Sequence, residues 1–333
     1  MKACIINGNT EYIINLEPIT QLCGISFNKK NFIINSLYKY YSGSKYEYYE
    51  INMQENIKIN GEKTGRKYFN TFKTSSREQL IKSVKISKSS IMMQYISTKY
   101  TSFNCQKIID KISENLEKLY LEINQALQNS IGYIEVVHHT KNIMEIIQNS
   151  DISGTEEKAL ENLSNIDLLL IYINLLWEMQ KIYPDKTLII IENIDHLISY
   201  KEYQLFVEKI EQFSKNHDVW FILSTSIEGY AILNQNTIEG INIINDCIFS
   251  FPDIEHLITF IQKRYPIEIP LNNEEVCENI RMVIQNIGCE NYNYYFKGSI
   301  ILKILQNSLY IPVTYKNYID SIEKAFLMDK NMI

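Results

Sequence analysis

Apolar and polar residues alternate in two short runs at the start of the chain, Lys2 to Asn7 and Glu11 to Leu16, divided by Gly8-Asn9. A period of two with a Gly-Asn turn predicts a β-hairpin. Pro18 to Cys23 predicts a third strand, which leads through Gly24 toward a helix over Asn31 to Tyr41, where Phe32, Ile33, Leu37 and Tyr40 recur at helical spacing. From Tyr46 to about Arg77 the pattern is mixed and rich in lysine, with Gly61 and Gly65 marking a turn and Tyr68-Phe69 a short apolar element, so irregular or edge structure is expected.

The middle of the chain reads as helical. Ser76 to Lys85 forms one helix, and Asn104 to Ser130 forms a long amphipathic one, with Ile108, Ile112, Leu116, Leu119, Ile123 and Leu127 three or four residues apart. Ile131 to His138 reads as a strand, and Ile143 to Asn149 and Glu156 to Ile182 as further helices. Lys186 to Glu192 is a continuous apolar run ending in an acid, the pattern of a strand covered on both faces in a parallel sheet. A helix over Asp195 to Asn216 and a second apolar strand, Asp218 to Thr225, complete a strand-helix-strand unit, for which a right-handed crossover is expected. Asn242 to Phe249 adds one strand, and the chain after Pro252 reads as helical, including Ile254 to Tyr265 and Ser299 to Leu309.

The expected organisation is therefore an α/β head formed discontinuously by residues 1–75 and 186–252. A mainly helical extension occupies 76–185 and a helical C-terminal region 253–333. No internal repeat, low-complexity tract or flexible linker interrupts the 333 residues.

Composition adds two constraints. The six cysteines (Cys4, Cys23, Cys105, Cys247, Cys277, Cys289) form no CxxC pair and have no nearby His at zinc-finger spacing, which suits buried thiols in a reducing cytosol. The opening MKACIINGNTEY lacks the apolar core of a signal peptide, and no run approaches the roughly 18 apolar residues of a membrane span, so a cytoplasmic protein without a membrane partner is expected. The net charge of −6 conceals a polarity: residues 1–110 hold 16 Lys+Arg against 8 Asp+Glu, and the rest holds 17 against 31. A basic first third on an acidic chain points to a basic face.

A phosphate-binding loop has the form G-x-x-x-x-G-K-[ST] between strand and helix, with backbone N–H groups around the phosphates and a hydroxyl on Mg²⁺. The chain has Gly24-Ile25-Ser26-Phe27-Asn28-Lys29-Lys30-Asn31 in that context. Gly24 and Lys30 keep the first Gly and the Lys, but Lys29 replaces the second Gly and Asn31 the hydroxyl residue. An active ATPase of this architecture ends its acidic strand with Asp-Glu, where this chain has Glu192-Asn193 and then Asp195. Leu163-Ser164-Asn165-Ile166-Asp167, before that strand, resembles an ABC-type signature without its Gly-Gly-Gln. Order and spacing thus resemble an ABC-ATPase-like head with a degenerate P-loop and a large helical insertion of roughly 160 residues. No ATP is expected to bind. Glu192 and Asp195 are weak candidates for a Ca²⁺ or Mg²⁺ contact, and their ordinary role is structural.

Several stretches then align with a known family: Ile191-Glu192-Asn193-Ile194-Asp195, Leu197-Ile198-Ser199-Tyr200, Ser226-Ile227-Glu228-Gly229-Tyr230, Ile238-Glu239-Gly240-Ile241-Asn242 and Asn245-Asp246-Cys247-Ile248-Phe249-Ser250. Gly61 to Phe69 and Ile322 to Met328 extend the match in order along almost the whole chain. These stretches resemble the long variant of the CRISPR-associated Csn-two family. The resemblance implies a homotetrameric ring of α/β heads with helical extensions and a basic lumen for duplex DNA. It also implies no catalysis, no required cofactor, and work in type II-A spacer acquisition beside the spacer integrase complex and the effector nuclease. Calcium is known for the short variant, and its ligands do not transfer to positions here.

Sequence-independent duplex binding needs Lys and Arg on one surface. Lys58, Lys63, Arg66, Lys67, Lys73 and Arg77 cluster in the turn-rich segment, and Lys82, Lys85 and Lys88 fall three apart. Lys63, Arg66 and Lys67 are the leading candidates, Arg66 because its planar fork can take two phosphate oxygens at once. His138-His139 reads as structural, since neighbours in a strand face opposite ways. Tyr292, Tyr294, Tyr295 and Phe296 could stack on bases but lie in the acidic part, which favours packing. The alternative function is an active DNA-stimulated ATPase of the recombination and repair type.

Overall fold

The computed structural model describes residues 1–88, 90–130, 143–150, 159–265, 272–289 and 298–311, with 136 and 152. They fall into two compact units, one built from Met1–Lys73, Lys186–Ser214 and the chain from Val219 on, the other from Thr74–Asp185 with Lys215–Asp218. Apart from Val136, the strand expected over Ile131 to His138 lies outside the described residues, as do the His138-His139 pair, the aromatic run Tyr292 to Phe296 and the stretch Ile322 to Met328.

The first unit is a mixed α/β fold with two sheets. β1 (Lys2–Asn7) and β2 (Thr10–Asn15) form the hairpin, and β4 (Ile57–Ile59) pairs antiparallel with β1 on its other side. The larger sheet has the order β5-β6-β7-β3-β8-β9, from β3 (Ile19–Cys23), β5 (Asn70–Thr74), β6 (Thr187–Ile191), β7 (Val219–Ser224), β8 (Ile241–Ile244) and β9 (Ile248–Ser250). β6, β7, β3 and β8 run parallel, and β9 closes the edge antiparallel to β8.

Every residue of β3, β6 and β8 is buried, because both faces of the sheet are covered. On one face Leu22, Leu188, Ile190, Ile222 and Ile244 pack with the small sheet and with α1 (Phe27–Ser42), whose Ile33, Ile34, Leu37, Tyr40 and Tyr41 turn inward. On the other, Cys23, Ile241 and Ile243 meet α9 (Ile254–Gln262), α10 (Asn273–Val283) and α11 (Gly298–Ser308) through Leu257, Ile261, Ile280, Ile301 and Leu302. After the single turn α7 (Ile194–Leu197), α8 (Tyr200–Asn216) connects β6 to β7 and buries Tyr203, Phe206, Val207, Ile210 and Phe213, the Phe213 ring edge-on to Phe221 at 6.0 Å between centroids. At about 1.5 to 3 kcal/mol for each large apolar side chain fully buried, this double layer is the main favourable contribution to the unit's stability.

The second unit is helical. α2 (Arg77–Val84), α3 (Ile91–Tyr100) and α6 (Asn165–Ile182) pack on one another, and α3 leads into α4 (Phe103–Ser130); α5 (Ile143–Gln148) follows. α4 runs for 28 residues with none of them buried, and leaves Ile108, Ile112, Leu119 and Ile123 exposed along one stripe.

Several expected elements differ, among them the helix expected over Asp195 to Asn216, which the extended Ile198 divides into α7 and α8. The helix expected over Glu156 to Ile182 begins at Asn165, because Ser164 caps it, its hydroxyl accepting from the Asp167 N–H at 3.2 Å; the segment compared with an ABC signature is this cap. The strand expected over Asn242 to Phe249 is two antiparallel strands, because Asn245-Asp246-Cys247 turns the chain. α2 ends at Val84 and Lys85 is already extended, so Lys82, Lys85 and Lys88 share no helix face.

Candidate functional site

The crossing from β3 to α1 has no room for a phosphate loop. Only Gly24, Ile25 and Ser26 separate the strand from the helix, which starts at Phe27, four residues before the Asn31 where periodicity placed it. Gly24 has φ +97°, and a Cβ there would collide with the Ile244 carbonyl, so the glycine serves the close approach of β8. The N–H groups that would face a phosphate are spent within the chain. Gly24 donates to Gln285 Oε1 at 2.5 Å, Ile25 to Asn245 Oδ1 at 2.7 Å and Ser26 to the Ile244 carbonyl at 3.2 Å.

Asn245 and Gln285 are buried and hold this arrangement from behind. Asn245 Nδ2 donates to the carbonyls of Gln285 (2.9 Å) and Ile287 (2.7 Å), and Gln285 Nε2 donates to Thr225 Oγ1 and the Ile227 carbonyl, each at 3.2 Å. Both lysines of the motif are committed too. Lys29 Nζ donates to the carbonyls of Asn245 (2.6 Å) and Asp246 (2.8 Å), and Lys30, 3% exposed, donates to the Thr225 carbonyl at 2.7 Å. Burial lowers the Lys30 ammonium from its ordinary range, against the opposing pull of Cys23 and Asp195. The Cys23 thiol below it is pushed up to about 11, chiefly by burial. Asn31 accepts from Asn35 Nδ2 at 2.7 Å.

The two carboxylates are bound in the same way. Lys73 Nζ stands 3.1 Å from Glu192 Oε2 and donates to Asn35 Oδ1 at 2.7 Å. Asp195 Oδ2 accepts from the N–H groups of Ser226 (2.5 Å) and Ile227 (2.7 Å), and its buried Oδ1 has no hydrogen-bond partner. Calcium takes six to eight oxygens. One orphan oxygen beside a carboxylate already paired with a lysine does not fit that shell, and among the described residues no group of three His, Cys, Asp or Glu gathers.

The basic candidates divide differently from their order in the sequence. Lys58 lies on β4, half-buried, opposite Cys4 of β1, while Ile57 and Ile59 on either side turn into the core. Asn60-Gly61, with φ +51° and +85°, makes the tight turn that follows, closed by Ile59 and Glu62 exchanging hydrogen bonds. The next residues are pinned to the end of α1, since the Tyr40 hydroxyl donates to the Thr64 carbonyl and the Tyr41 hydroxyl meets Thr64 Oγ1 at 2.7 Å. Lys63, Arg66 and Lys67 project from this held loop and are exposed. Arg66 lies 5.9 Å from the Tyr40 ring centre and 5.7 Å from that of Tyr46, and Lys63 is 3.7 Å from Glu55 in an exposed pair.

The other candidates are elsewhere. Lys73 sits at the far end of β5, half-buried against Glu192. Arg77, Lys82 and Lys85 belong to the helical unit: Arg77 donates to Asn165 Oδ1 and to the carbonyls of Glu161 and Leu163, Lys85 pairs with Glu161, and Lys82 is exposed. Among the described residues no helix is long and apolar enough to cross a membrane.

Fold and geometry define a mixed α/β protein built on a mostly parallel sheet. Residues 8–312 match the family described as CRISPR-associated protein Csn2 subfamily St, and the chain belongs to that family. Membership implies a role in type II-A CRISPR adaptation. The crystal structure of Stu0660 of Streptococcus thermophilus has the same fold, with a TM-score of 0.86 at 20% identity, covering 98% of this chain and 99% of that one. The SmcHead bound to the C-winged helix domain of ScpA matches at TM-score 0.38 and 13% identity, and the recombination mediator RecF-ATP at 0.37 and 11%; each covers 75% of this chain, and 97% and 98% of its own. No curated protein sequence matches the chain.

Proposed function

We propose that this protein binds double-stranded DNA without reading its sequence, in the acquisition of new CRISPR spacers, and that it performs no catalysis of its own. The observation that carries this reading is the held, exposed loop with Lys63, Arg66 and Lys67. Its cations are offered to solvent while those of the β3 to α1 crossing are consumed internally. The exposed Lys63–Glu55 pair contributes little and gives way to phosphate.

The scaffold is that of an ABC-ATPase-like head whose phosphate loop has degenerated. In support, the strand-Gly-helix crossing survives as β3, Gly24 and α1, and β7 lies between it and the acid-ended β6. ATP is not part of the function, because a phosphate entering at Gly24 would have to displace Gln285, Asn245 and the Ile244 carbonyl from three N–H groups. Calcium is not required.

Self-assembly into a tetrameric ring around the duplex, with the spacer integrase complex and the effector nuclease as further partners, belongs to the same reading. The exposed apolar stripe of α4 is the kind of surface a second copy would cover. The test is binding of the full chain to linear and closed-circular duplex across a salt series. Replacing Lys63, Arg66 and Lys67 together by Gln is expected to reduce the slope of log affinity against log salt by about 0.9 per lost phosphate contact. An unchanged slope would remove this loop from the interface, and a wild-type chain that ignores duplex would overturn the function.

A further inference from the structure

The basic loop is continued by a lysine from the acidic part of the chain. Lys186 lies immediately before β6, more than a hundred residues from Lys67. The β5 to β6 pairing brings the two segments together, the Asn70 N–H donating to the Lys186 carbonyl at 2.8 Å. The Lys186 side chain is exposed, with its ammonium 4.6 Å from the centre of the Tyr68 ring. Tyr68 directly follows Lys67, and its N–H donates to the Gly65 carbonyl at 2.9 Å, so the ring belongs to the same held loop. That ring is anchored in turn, with Phe69 at 4.7 Å and Tyr41 at 6.4 Å between centroids, and Tyr41 packs on Tyr40 at 5.0 Å. Arg66 stands over Tyr40 at one end of this chain of rings and Lys186 over Tyr68 at the other.

We infer that Lys186 is a phosphate-contacting residue of the duplex surface, and that the aromatic rings hold Lys186 and Arg66 in place before DNA arrives. This deepens the function proposed above and rests on it. A lysine whose ammonium is already held over a ring face has less freedom to lose when it meets a phosphate than one moving freely in water. The contact therefore costs less than for an isolated surface lysine. The patch so assembled holds Lys63, Arg66, Lys67 and Lys186 at the amino-terminal ends of β5 and β6, whereas Lys73 stands at the opposite end of β5 beside Glu192.

The experiment is fluorescence anisotropy of the full chain with a labelled linear duplex of random sequence, over a salt series. It compares wild type, Lys186→Gln, Lys186→Arg, the Lys63, Arg66 and Lys67 triple Gln variant, and Lys201→Gln as a charge control. Lys201 is exposed in the first turn of α8, beyond the other end of β6. Lys186→Gln is expected to weaken binding several-fold at low salt and to shrink the slope by about 0.9. Lys186→Arg should restore both, and Lys201→Gln should leave both unchanged. If the triple variant loses slope while Lys186→Gln matches wild type, Lys186 is overturned and the loop stands. Equal losses from Lys186→Gln and Lys201→Gln would reduce the effect to overall charge and also overturn the inference. If wild type does not bind, the function itself fails.

Discussion

The two ends of the large sheet carry lysines to opposite fates. At the carboxyl ends of β3, β6 and β8, Lys29, Lys30 and Lys73 are turned onto carbonyls or onto Glu192, and the N–H groups of Gly24, Ile25 and Ser26 are closed by Gln285, Asn245 and Ile244. At the amino ends of β5 and β6, Lys63, Arg66, Lys67 and Lys186 lie on a tyrosine-backed surface and face solvent. In open α/β sheets the carboxyl end is the usual place for a ligand. Here the backbone and lysines of that end are closed by internal hydrogen bonds, and the solvent-facing cations of this group lie at the other.

The contrast predicts that substitutions at the filled end cost stability and substitutions at the open end do not. The largest effect is expected from Gly24→Val, which combines a left-handed backbone with a clash against the Ile244 carbonyl; a loss of about 4 kcal/mol in urea unfolding is expected, or failure to fold. Asn245→Ala removes the acceptor of the Ile25 N–H and the donors to Gln285 and Ile287. It should cost about 2 to 3 kcal/mol, and isothermal calorimetry should still find no heat with ATP.

A smaller change follows from Lys30→Met, which gives up one hydrogen bond and also removes a desolvated cation, for a net loss within about 1 kcal/mol at neutral pH. The sharper readout is pH. Burial lowers the folded-state pKa of Lys30 below its ordinary 10.5, so the unfolded chain binds more protons between that lowered value and 10.5. Wild-type stability should therefore gain a rising contribution across that window, and Lys30→Met should lack it. The smallest effect belongs to the open end. The Lys63, Arg66 and Lys67 triple Gln variant should unfold within about 0.5 kcal/mol of wild type while its duplex binding falls. A triple variant as unstable as Asn245→Ala would erase the contrast.

Much of the α/β layout was legible because buried strands and amphipathic helices announce themselves by period. β1, β2, β6 and β7 fall within a residue or two of the runs that predicted them. Two of the misjudged boundaries are set by one or two polar residues. Ser164 starts α6 and Asn245-Asp246 turns β8 into β9; both are recognisable turn or cap chemistry hidden within apolar stretches. At the β3 to α1 crossing, comparison with the phosphate-loop motif showed that Lys29 and Asn31 stand where that motif has Gly and a hydroxyl residue. What fills the loop comes from residues more than two hundred positions away, Asn245 and Gln285, and no local pattern reports such a partner. Lys186 was invisible for a related reason: charge counted along the chain placed it among acids, and only strand pairing brings it to Lys67.

Cys23 sits under the plugged crossing, fully enclosed, its thiol touching Thr225 Oγ1 at 3.6 Å. A sulfur in that position is a natural stopwatch for the seal above it. An alkylating reagent can reach it only when the structure around it opens, and peptide mass spectrometry would time those moments separately from the accessible Cys247. The rhythm of that breathing, with and without a bound duplex, would show whether events at one rim of the sheet are felt at the other.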